Sequence, residues 1–310
     1  MAYPPPLFIL SPPRSFTSVT CGVIGQHPEI FGCPELNLFH DETIEELCTG
    51  TKKDGTGRSP FWGNVHLDGI LRTVAQLYAG EQTLESIEMA KRWLQVRAKH
   101  TTTAVHQELC EKVSPLILLD KTPAYVRRSS YLKRLNAAFP DARFIHLVRH
   151  PRGQCESVLA ARVGPMAAFF MGLVDSNDKE AFVDPQRAWF DSHIRAMKFL
   201  SEIPRSRWIR VKGEDFMRDI EGVAVEICTW LGISTSPEAI EAMKHPENSP
   251  FACVGPATAR FGNDPKFLTS PALRPTNVKD YDFEEPLPWR PDNAVFSEPV
   301  QALARSFGYA

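Results

Sequence analysis

A loop near the start of the chain combines one basic residue with four hydroxyls. The segment SPPRSFTS, residues 11–18, follows the apolar run Leu7–Leu10 and precedes a stretch that can form a helix. A helix N-terminus has backbone N–H groups without partners and the positive end of the helix dipole, so it suits an anion. The side chains that could join those amides around a phosphate are Arg14, Ser15, Thr17 and Ser18. The same residue types also favour a capped helix, and the octapeptide alone leaves both interpretations open.

A second basic position follows a later apolar run. In RFIHLVRHPRGQCESVLAAR, residues 143–162, a predicted strand ends before Arg149, and Pro151 forces a turn. We expect a helix from about Gly153, with Ser157 in its first turns, eight residues after Arg149. The arginine and the serine can then face one point at the carboxyl ends of the strands, where open α/β sheets bind ligands. Because a guanidinium can form two hydrogen bonds to one phosphate, this stretch predicts a second phosphate site.

The elements that must position these residues form an alternating pattern. Short apolar runs, each followed by a turn and a stretch with helical spacing, predict a doubly wound α/β fold with a mainly parallel sheet flanked by helices. Residues 40–112 also have helical spacing, and we expect them to be helices inserted over the active face, as a lid or an acceptor pocket. From about residue 246 to 310 prolines accumulate, so an irregular tail is expected to wrap over a single domain of residues 1–310. The predicted strands are Leu7–Leu10, Leu116–Leu119, Phe144–Val148 and Trp208–Val211.

The charge balance excludes two classes of partner. Among 310 residues, 35 are Lys or Arg and 37 are Asp or Glu, which gives a net charge of −2. Such a chain has no overall field that attracts nucleic acid or anionic lipid, so we expect neither as a partner. The N-terminal apolar stretch has no basic leader, and no run is long enough to span a membrane, so we expect no signal peptide and no membrane segment.

The cysteines and histidines give no sign of a disulfide framework or a metal site. The seven cysteines include no C-x-x-C pair, so we expect reduced thiols and a cytoplasmic protein. His146 and His150 straddle a predicted strand end and are not spaced like a zinc motif, so no metal is expected.

Taken together, the two anion motifs resemble those of the sulfotransferases that use 3'-phosphoadenosine 5'-phosphosulfate (PAPS). In that family a strand-turn-helix loop near the N-terminus holds the 5'-phosphosulfate, and SPPRSFTS is similar to it. A second strand that ends in an arginine, with a serine eight residues later, holds the 3'-phosphate, and Arg149 and Ser157 match in type and spacing. The resemblance implies a P-loop-like fold, PAPS as co-substrate and 3'-phosphoadenosine 5'-phosphate (PAP) as product, without a metal.

Further stretches support the resemblance, which covers residues 6 to about 270. Segment 208–233 is similar to the family's late strand, acidic turn and helix. LLDKTPAYV, residues 118–126, resembles a segment of bacterial members, including sulfotransferase domains of polyketide assembly lines. QHPEIFGCPELNLF, residues 26–39, is similar to a stretch of heparan sulfate sulfotransferases.

The chain also departs from the family pattern. Arg14 stands where many members have lysine, and Phe16 where many have glycine. The Phe16 side chain is expected to press on the ligand or on the core, while its backbone amide still serves the cofactor. Pro123 excludes the histidine base of the cytosolic members, and Gly213 replaces a tyrosine, so adenine stacking must come from elsewhere. The glycine-rich basic loop near the C-terminus of the cytosolic enzymes is missing, and ATARFGNDPKFLTS, residues 257–270, is expected to replace it through Arg260 and Lys266.

The resemblance also implies catalytic roles. Sulfuryl transfer to a hydroxyl, or to an amine, is an in-line displacement that needs a general base. Glu35 matches the base position of the heparan sulfate group, and Lys121 is the candidate that stabilises the sulfonate or the bridging oxygen. Arg14 and Ser15 are expected to stabilise the departing 5'-phosphate. Asp120 is left open as an orienting group for Lys121 or as an alternative base.

Two other functions remain open at this point. A P-loop phosphotransferase is disfavoured because G-x-x-x-x-G-K-[ST] is absent and the first loop contains no glycine. A catalytically silent nucleotide-binding module is the other alternative. The acceptor, a small molecule or a carrier-bound group, and the oligomeric state are not fixed by the sequence.

Overall fold

A five-stranded parallel sheet forms the centre of the protein. The computed structural model describes residues 3–51, 65–161, 168, 172–176, 181–274 and 278–310. The strand order is β2-β3-β1-β4-β7, and every neighbouring pair is parallel. The strands are β1 (Leu7–Leu10), β2 (Ile30–Cys33), β3 (Ile117–Asp120), β4 (Arg143–Val148) and β7 (Trp208–Lys212). A separate antiparallel pair comprises β5 (Val174–Ser176) and β6 (Ala181–Val183).

Helices cover both faces of the sheet. They are α1 (Thr17–Ile24), α2 (Ile44–Thr49), α3 (Asp68–Ala79), α4 (Leu84–Val96), α5 (Thr102–Val113), α6 (Ser129–Ala138), α7 (Pro151–Ala160), α8 (Gln186–Leu200), α9 (Gly213–Arg218), α10 (Ile220–Leu231), α11 (Pro237–Met243), α12 (Pro265–Thr269) and α13 (Glu298–Ser306). Short 3-10 turns lie between them, including Pro123–Arg127 after β3. The predicted doubly wound, mainly parallel α/β fold is confirmed.

Alternation along β1 shows how the two layers are built. Successive side chains of a strand point to opposite faces, and all four residues of β1 are buried. Leu7 and Ile9 pack with α1, α10 and α11, whereas Phe8 and Leu10 pack with α3, α4, α5 and α6. The central strand is therefore apolar throughout because both of its faces are covered.

The helical insertion lies mainly against the sheet. We expected residues 40–112 over the active face, but buried side chains of α2 to α5 share one core with Phe8 and Leu10. Their apolar stripes therefore build the layer on one face of the sheet. The N-terminal end of α3 is the part that reaches the candidate site, as shown below. The segment 52–64 within the insertion lies outside the described residues.

The C-terminal segment is only partly irregular. Two helices, α12 and α13, interrupt the predicted tail. Residues of α13 and the loop before it pack around Trp189 of α8 with Phe283, Phe296 and Phe307, so the tail contributes a core cluster of its own. Within the described residues, no helix combines the length and the apolarity needed to cross a bilayer.

Element ends differ slightly from those predicted. The third strand runs from Ile117 to Asp120, one residue later than expected, and α7 starts at Pro151 instead of near Gly153. Proline is favoured in the first turn of a helix because its φ is already helical and its missing N–H has no partner there. The earlier start still leaves Ser157 on α7.

Candidate active site

The loop between β1 and α1 has an unusual backbone for residues with side chains. Arg14 and Phe16 have φ angles of 69° and 61°, in the left-handed region that favours glycine. Such conformations cost about 1–3 kcal/mol each and concentrate at ligand sites. Phe16 stands at the N-cap of α1, and no side chain caps the helix. The first turn of α1 is therefore not the side-chain-capped helix that the hydroxyls also suggested.

The two predicted anion motifs meet in one crevice. Arg14 Nε donates a hydrogen bond of 3.1 Å to Ser157 Oγ, which joins the first loop to α7. Arg149 Nη1 donates one of 2.6 Å to the carbonyl oxygen of Arg14. The strand-end arginine, the loop arginine and the helix serine, distant in sequence, are therefore in direct contact.

Neighbouring residues fix the turn that carries Arg149. The indole Nε1 of Trp189 donates a hydrogen bond of 3.0 Å to the carbonyl oxygen of Arg149. The next backbone N–H, of His150, donates one of 2.9 Å to Glu214, whose other oxygen accepts one of 2.7 Å from the hydroxyl of Tyr309. The C-terminal segment thus helps to orient the arginine at the end of β4.

The crevice is electrostatically prepared for an anion. Burial lowers the pKa of Arg14, and the charge of Arg149 lowers it further. Burial also lowers the pKa of Arg149. Two cations that are partly desolvated and close to each other would both be stabilised by a negative ligand between them.

Unsatisfied polar atoms point to the same ligand chemistry. Within the described residues, the buried hydroxyl of Ser15 and the Nε of Arg149 have no hydrogen-bond partner. Buried polar groups normally have partners, because an unmade hydrogen bond costs about 1–3 kcal/mol. Both groups can donate, so the residues present fit an anionic group such as a phosphate.

Phe16 supports Arg149 and uses space left by a glycine. The guanidinium carbon of Arg149 lies 4.1 Å from the centre of the Phe16 ring. A Cβ on Gly213 would stand 2.5 Å from a ring carbon of Phe16. The two departures from the family pattern at positions 16 and 213 are therefore coupled, since the large side chain occupies the room that the glycine leaves.

Lys121 and Glu35 form an ion pair next to the first loop. Lys121 Nζ lies 2.9 Å from Glu35 Oε1 and donates a hydrogen bond of 3.2 Å to Ser18 Oγ. The lysine side chain is 0% exposed, whereas the glutamate side chain is 33% exposed. The cation is thus fully buried, whereas the glutamate side chain is partly accessible to solvent.

Asp120 belongs to a separate buried network. Its carboxylate accepts hydrogen bonds from Thr122 Oγ1 at 2.8 Å and from the hydroxyl of Tyr125 at 2.9 Å, and His106 Nε2 lies 3.4 Å away. The residue is 0% exposed. Thr122 Oγ1 also accepts a hydrogen bond of 3.3 Å from the backbone N–H of Asn37. Asp120 therefore ties the loop after β3 to the loop after β2, and its carboxylate is fully buried.

The backbone of Glu35 is held by two glycines from distant segments. A Cβ on Gly69, in the first turn of α3, would stand 2.0 Å from the carbonyl oxygen of Glu35. The carbonyl oxygen of Gly262 accepts a hydrogen bond of 2.8 Å from the Glu35 N–H, and Gly262 has a φ of 97°. The insertion and the C-terminal segment thus jointly position the candidate base.

The segment 257–270 approaches the site through a residue that the sequence did not single out. Asp264 contacts Arg14 as an ion pair, and its backbone N–H donates a hydrogen bond of 3.0 Å to Ser18 Oγ. Arg260 and Lys266 are exposed. Their predicted role in cofactor binding stays a prediction. The available sequence signal for Asp264 was the pair Asp264-Pro265, since an aspartate followed by a proline is typical of a helix N-terminus.

Among the described residues, no group of three or more histidines, cysteines or acids could hold a metal ion. His146 and His193 are instead buried against each other, with 3.0 Å between His146 Nε2 and His193 Nδ1. All seven cysteines lie in the described part of the chain and are free.

Comparisons with known proteins agree with this architecture. A family model described as "Sulfotransferase family" matches residues 5–237, and the chain belongs to that family. A sulfotransferase domain from the curacin biosynthetic pathway superposes with a TM-score of 0.75 and 22% identity, over 99% of this chain and 98% of that chain. A sulfotransferase domain from the olefin synthase of Synechococcus PCC 7002 gives a TM-score of 0.73 and 24% identity, over 99% and 95%. No curated protein matches the sequence.

The family membership confirms the resemblance drawn from the two anion motifs, and the two structural matches agree with the predicted fold. The curacin and olefin synthase domains are what this chain is similar to in fold.

Proposed function

We propose that this protein transfers the sulfuryl group of PAPS to an acceptor hydroxyl by in-line displacement. The observation that carries the proposal is the contact between Arg14 and both Arg149 and Ser157, because it joins the two phosphate motifs in one crevice. A ligand with phosphates at both ends of one ribose needs such a pair of adjacent anion sites. Membership of the sulfotransferase family supports the same reaction.

The donor would be held by the residues of these two motifs. Arg14, Ser15, Thr17, Ser18 and the amide of Phe16 would bind the 5' end, and Arg149 and Ser157 the 3'-phosphate. The unpartnered hydroxyl of Ser15 and the Nε of Arg149 would gain acceptors there. PAPS, when bound, supplies the transferable sulfuryl group and leaves as PAP. Cations around the equatorial and leaving oxygens can stabilise such a transfer without a metal.

Two side chains of the protein would assist the transfer directly. Glu35 would accept the proton of the acceptor, and Lys121 would stabilise the negative charge that develops. An acceptor hydroxyl that enters at the exposed side of Glu35 can give its proton to that carboxylate. Protonation of Glu35 removes the charge that now pairs with Lys121 Nζ at 2.9 Å. The buried ammonium is then available to the negative charge that develops on the oxygens around the transferred group.

The two structural matches bear on the acceptor. The two similar structures come from biosynthetic enzymes, which fits a small-molecule or carrier-bound acceptor. An amine acceptor, the cytoplasmic location and the absence of nucleic acid or membrane partners stay predictions.

The first experiment measures binding at the crevice. We expect PAP to raise the midpoint of thermal unfolding of the wild-type protein, because a ligand that binds only the folded state stabilises it. Adenosine 5'-phosphate and ATP lack the 3'-phosphate and should have little effect. Arg149→Gln should remove most of the PAP shift, whereas Arg218→Gln, at a partly exposed arginine paired with Asp280, should keep it.

The second experiment measures transfer of labelled sulfate from PAPS to a panel of alcohols, amines and carrier-bound hydroxyacyl groups. Turnover of any acceptor supports the enzyme. Binding of PAP with no transfer to any of them would favour the silent nucleotide-binding module. A thermal shift with ATP but none with PAP would overturn the proposal in favour of a phosphotransferase.

A further inference from the structure

A carboxylate stands among the groups of the 5' cradle. One oxygen of Asp264 accepts a hydrogen bond of 2.9 Å from the backbone N–H of Lys266 and caps α12. The other oxygen contacts the guanidinium of Arg14. The backbone N–H of Asp264 is bound to Ser18 Oγ at 3.0 Å, so the residue is anchored at three points.

The charges around the 5' cradle balance one another. Arg14 is paired with Asp264, and Lys121 is paired with Glu35. The side chains of Arg14 and Asp264 are 18% and 24% exposed, so solvent screens their interaction only in part. Two cations and two carboxylates leave this end of the crevice close to neutral, in contrast to the other end, where Arg149 has no carboxylate within ion-pair distance among the described residues.

A near-neutral cradle suits some anions better than others. The sulfonate end of a phosphosulfate carries a single negative charge at neutral pH. A terminal phosphate has a second pKa near 6 and is mostly doubly charged. Every additional negative charge on the ligand is attracted by Arg14 and Lys121 but repelled by Asp264 and Glu35. This repulsion increases with the charge of the 5' group, so it weakens the binding of a highly charged group more than that of a singly charged one.

We propose that Asp264 is a specificity-determining residue that makes the 5' cradle select a singly charged sulfonate over a more highly charged phosphoryl group. This inference rests on the proposed function. It assigns a role to a residue of the segment 257–270 that differs from the cationic role expected there for Arg260 and Lys266.

The test compares ligands that share adenosine and the 3'-phosphate and carry increasing charge at the 5' position. Calorimetry measures the Kd of adenosine 3'-phosphate, PAP and 3'-phosphoadenosine 5'-diphosphate for wild type, Asp264→Asn and Asp264→Ser. Both substitutions keep a side-chain acceptor that can cap α12. Asp141→Asn, at an exposed carboxylate before β4, is the matched control for the change in net charge.

We expect both Asp264 variants to bind the 5'-diphosphate about tenfold more tightly than wild type, and PAP by a smaller factor. Adenosine 3'-phosphate should change by less than about twofold, since it has no charge near Asp264. The gain should shrink at high salt, and Asp141→Asn should show none of it.

Other results separate the two proposals. An equal change for all three ligands, or weaker binding of PAP by both folded variants, would overturn the role of Asp264 and make it a structural partner of Arg14. If wild-type protein binds none of the three ligands, the proposed function itself fails.

Discussion

The carbonyl oxygen of Glu35 lies against Gly69, so closely that a Cβ on that glycine would stand 2.0 Å from it. The candidate base is therefore positioned by the first turn of α3, which belongs to a segment of the chain far from the phosphate loops. The contacting atoms of Glu35 belong to the backbone. A larger residue at position 69 can therefore be accommodated only if the backbone moves, and not by rotation of a side chain.

Gly69→Ala should displace Glu35 and lower turnover strongly while PAP binding is kept. Overpacking of this kind costs about 1–3 kcal/mol of stability, which urea unfolding measures. Gly80→Ala is the matched control, since its Cβ meets nothing but its φ of 78° makes an alanine strained. If Gly80→Ala lowers turnover as much as Gly69→Ala, general destabilisation and not the contact with Glu35 is responsible.

Glu35→Gln should lower kcat by about 10²–10⁴-fold, the usual contribution of a general base. PAP binding should be retained, because Glu35 is not among the residues proposed to hold the phosphates. Glu42→Gln, at an exposed carboxylate paired with Arg134 at 3.5 Å, is expected to leave kcat unchanged. Full activity of Glu35→Gln would show that another group takes the proton.

Asp120→Asn should behave differently from Glu35→Gln. The buried carboxylate holds Thr122 and Tyr125, so its replacement should lower stability by about 1–3 kcal/mol. The loss of kcat should be much smaller than in Glu35→Gln, because the Asp120 side chain is fully buried. A loss of kcat in Asp120→Asn that exceeds the loss in Glu35→Gln, in a variant that remains folded, would identify Asp120 as the base.

A double-mutant cycle tests the coupling of Phe16 and Gly213. Gly213→Ala should lower the free energy of unfolding by about 1–3 kcal/mol. It should also weaken PAP binding, because the displaced Phe16 ring supports Arg149. In a Phe16→Ala background the same substitution should lower the free energy of unfolding much less, since the ring that the new Cβ would meet is absent. Equal costs in both backgrounds, measured by urea unfolding, would argue against the coupling.

Three buried histidines predict a loss of stability in acid. Burial lowers the pKa of His150 to about 4, the pKa of His193 to about 3, and the pKa of His146 well below its usual value. The unfolded chain takes up these protons near pH 6.5, so it binds more protons than the folded chain between pH 6.5 and about 4. The contribution of these histidines to the free energy of unfolding should be fully present above pH 7. It should be lost as the pH falls from 6.5 to about 4.

The expected slope is up to about 1.4 kcal/mol per pH unit for each histidine, measured by urea unfolding at pH 7, 6 and 5. His193→Gln should reduce the slope by about one histidine's share, because one proton fewer is then taken up on unfolding. A slope that does not change in this variant would show that carboxylates alone cause the acid sensitivity.

Local patterns decided much of the fold. The residues of β1 are apolar at every position because both faces of a central parallel strand are buried, and that is visible in four consecutive letters. The pairing of Arg149 with Ser157 could also be predicted from the sequence, because a strand end and the helix that follows it are close in sequence and have regular geometry.

Contacts between distant segments decided the rest. Nothing in the sequence placed Gly69 or Gly262 against Glu35, or Asp264 against Arg14, because these contacts depend on how the insertion and the C-terminal segment pack on the sheet. The helical spacing in the described part of residues 40–112 predicted helices, whereas their packing against one face of the sheet is a contact between distant segments. By itself the sequence determined which residues can bind anions and which elements carry them. Only the tertiary structure decided which of these residues meet, because the packing of many side chains, and not local propensity, fixes the distances between elements.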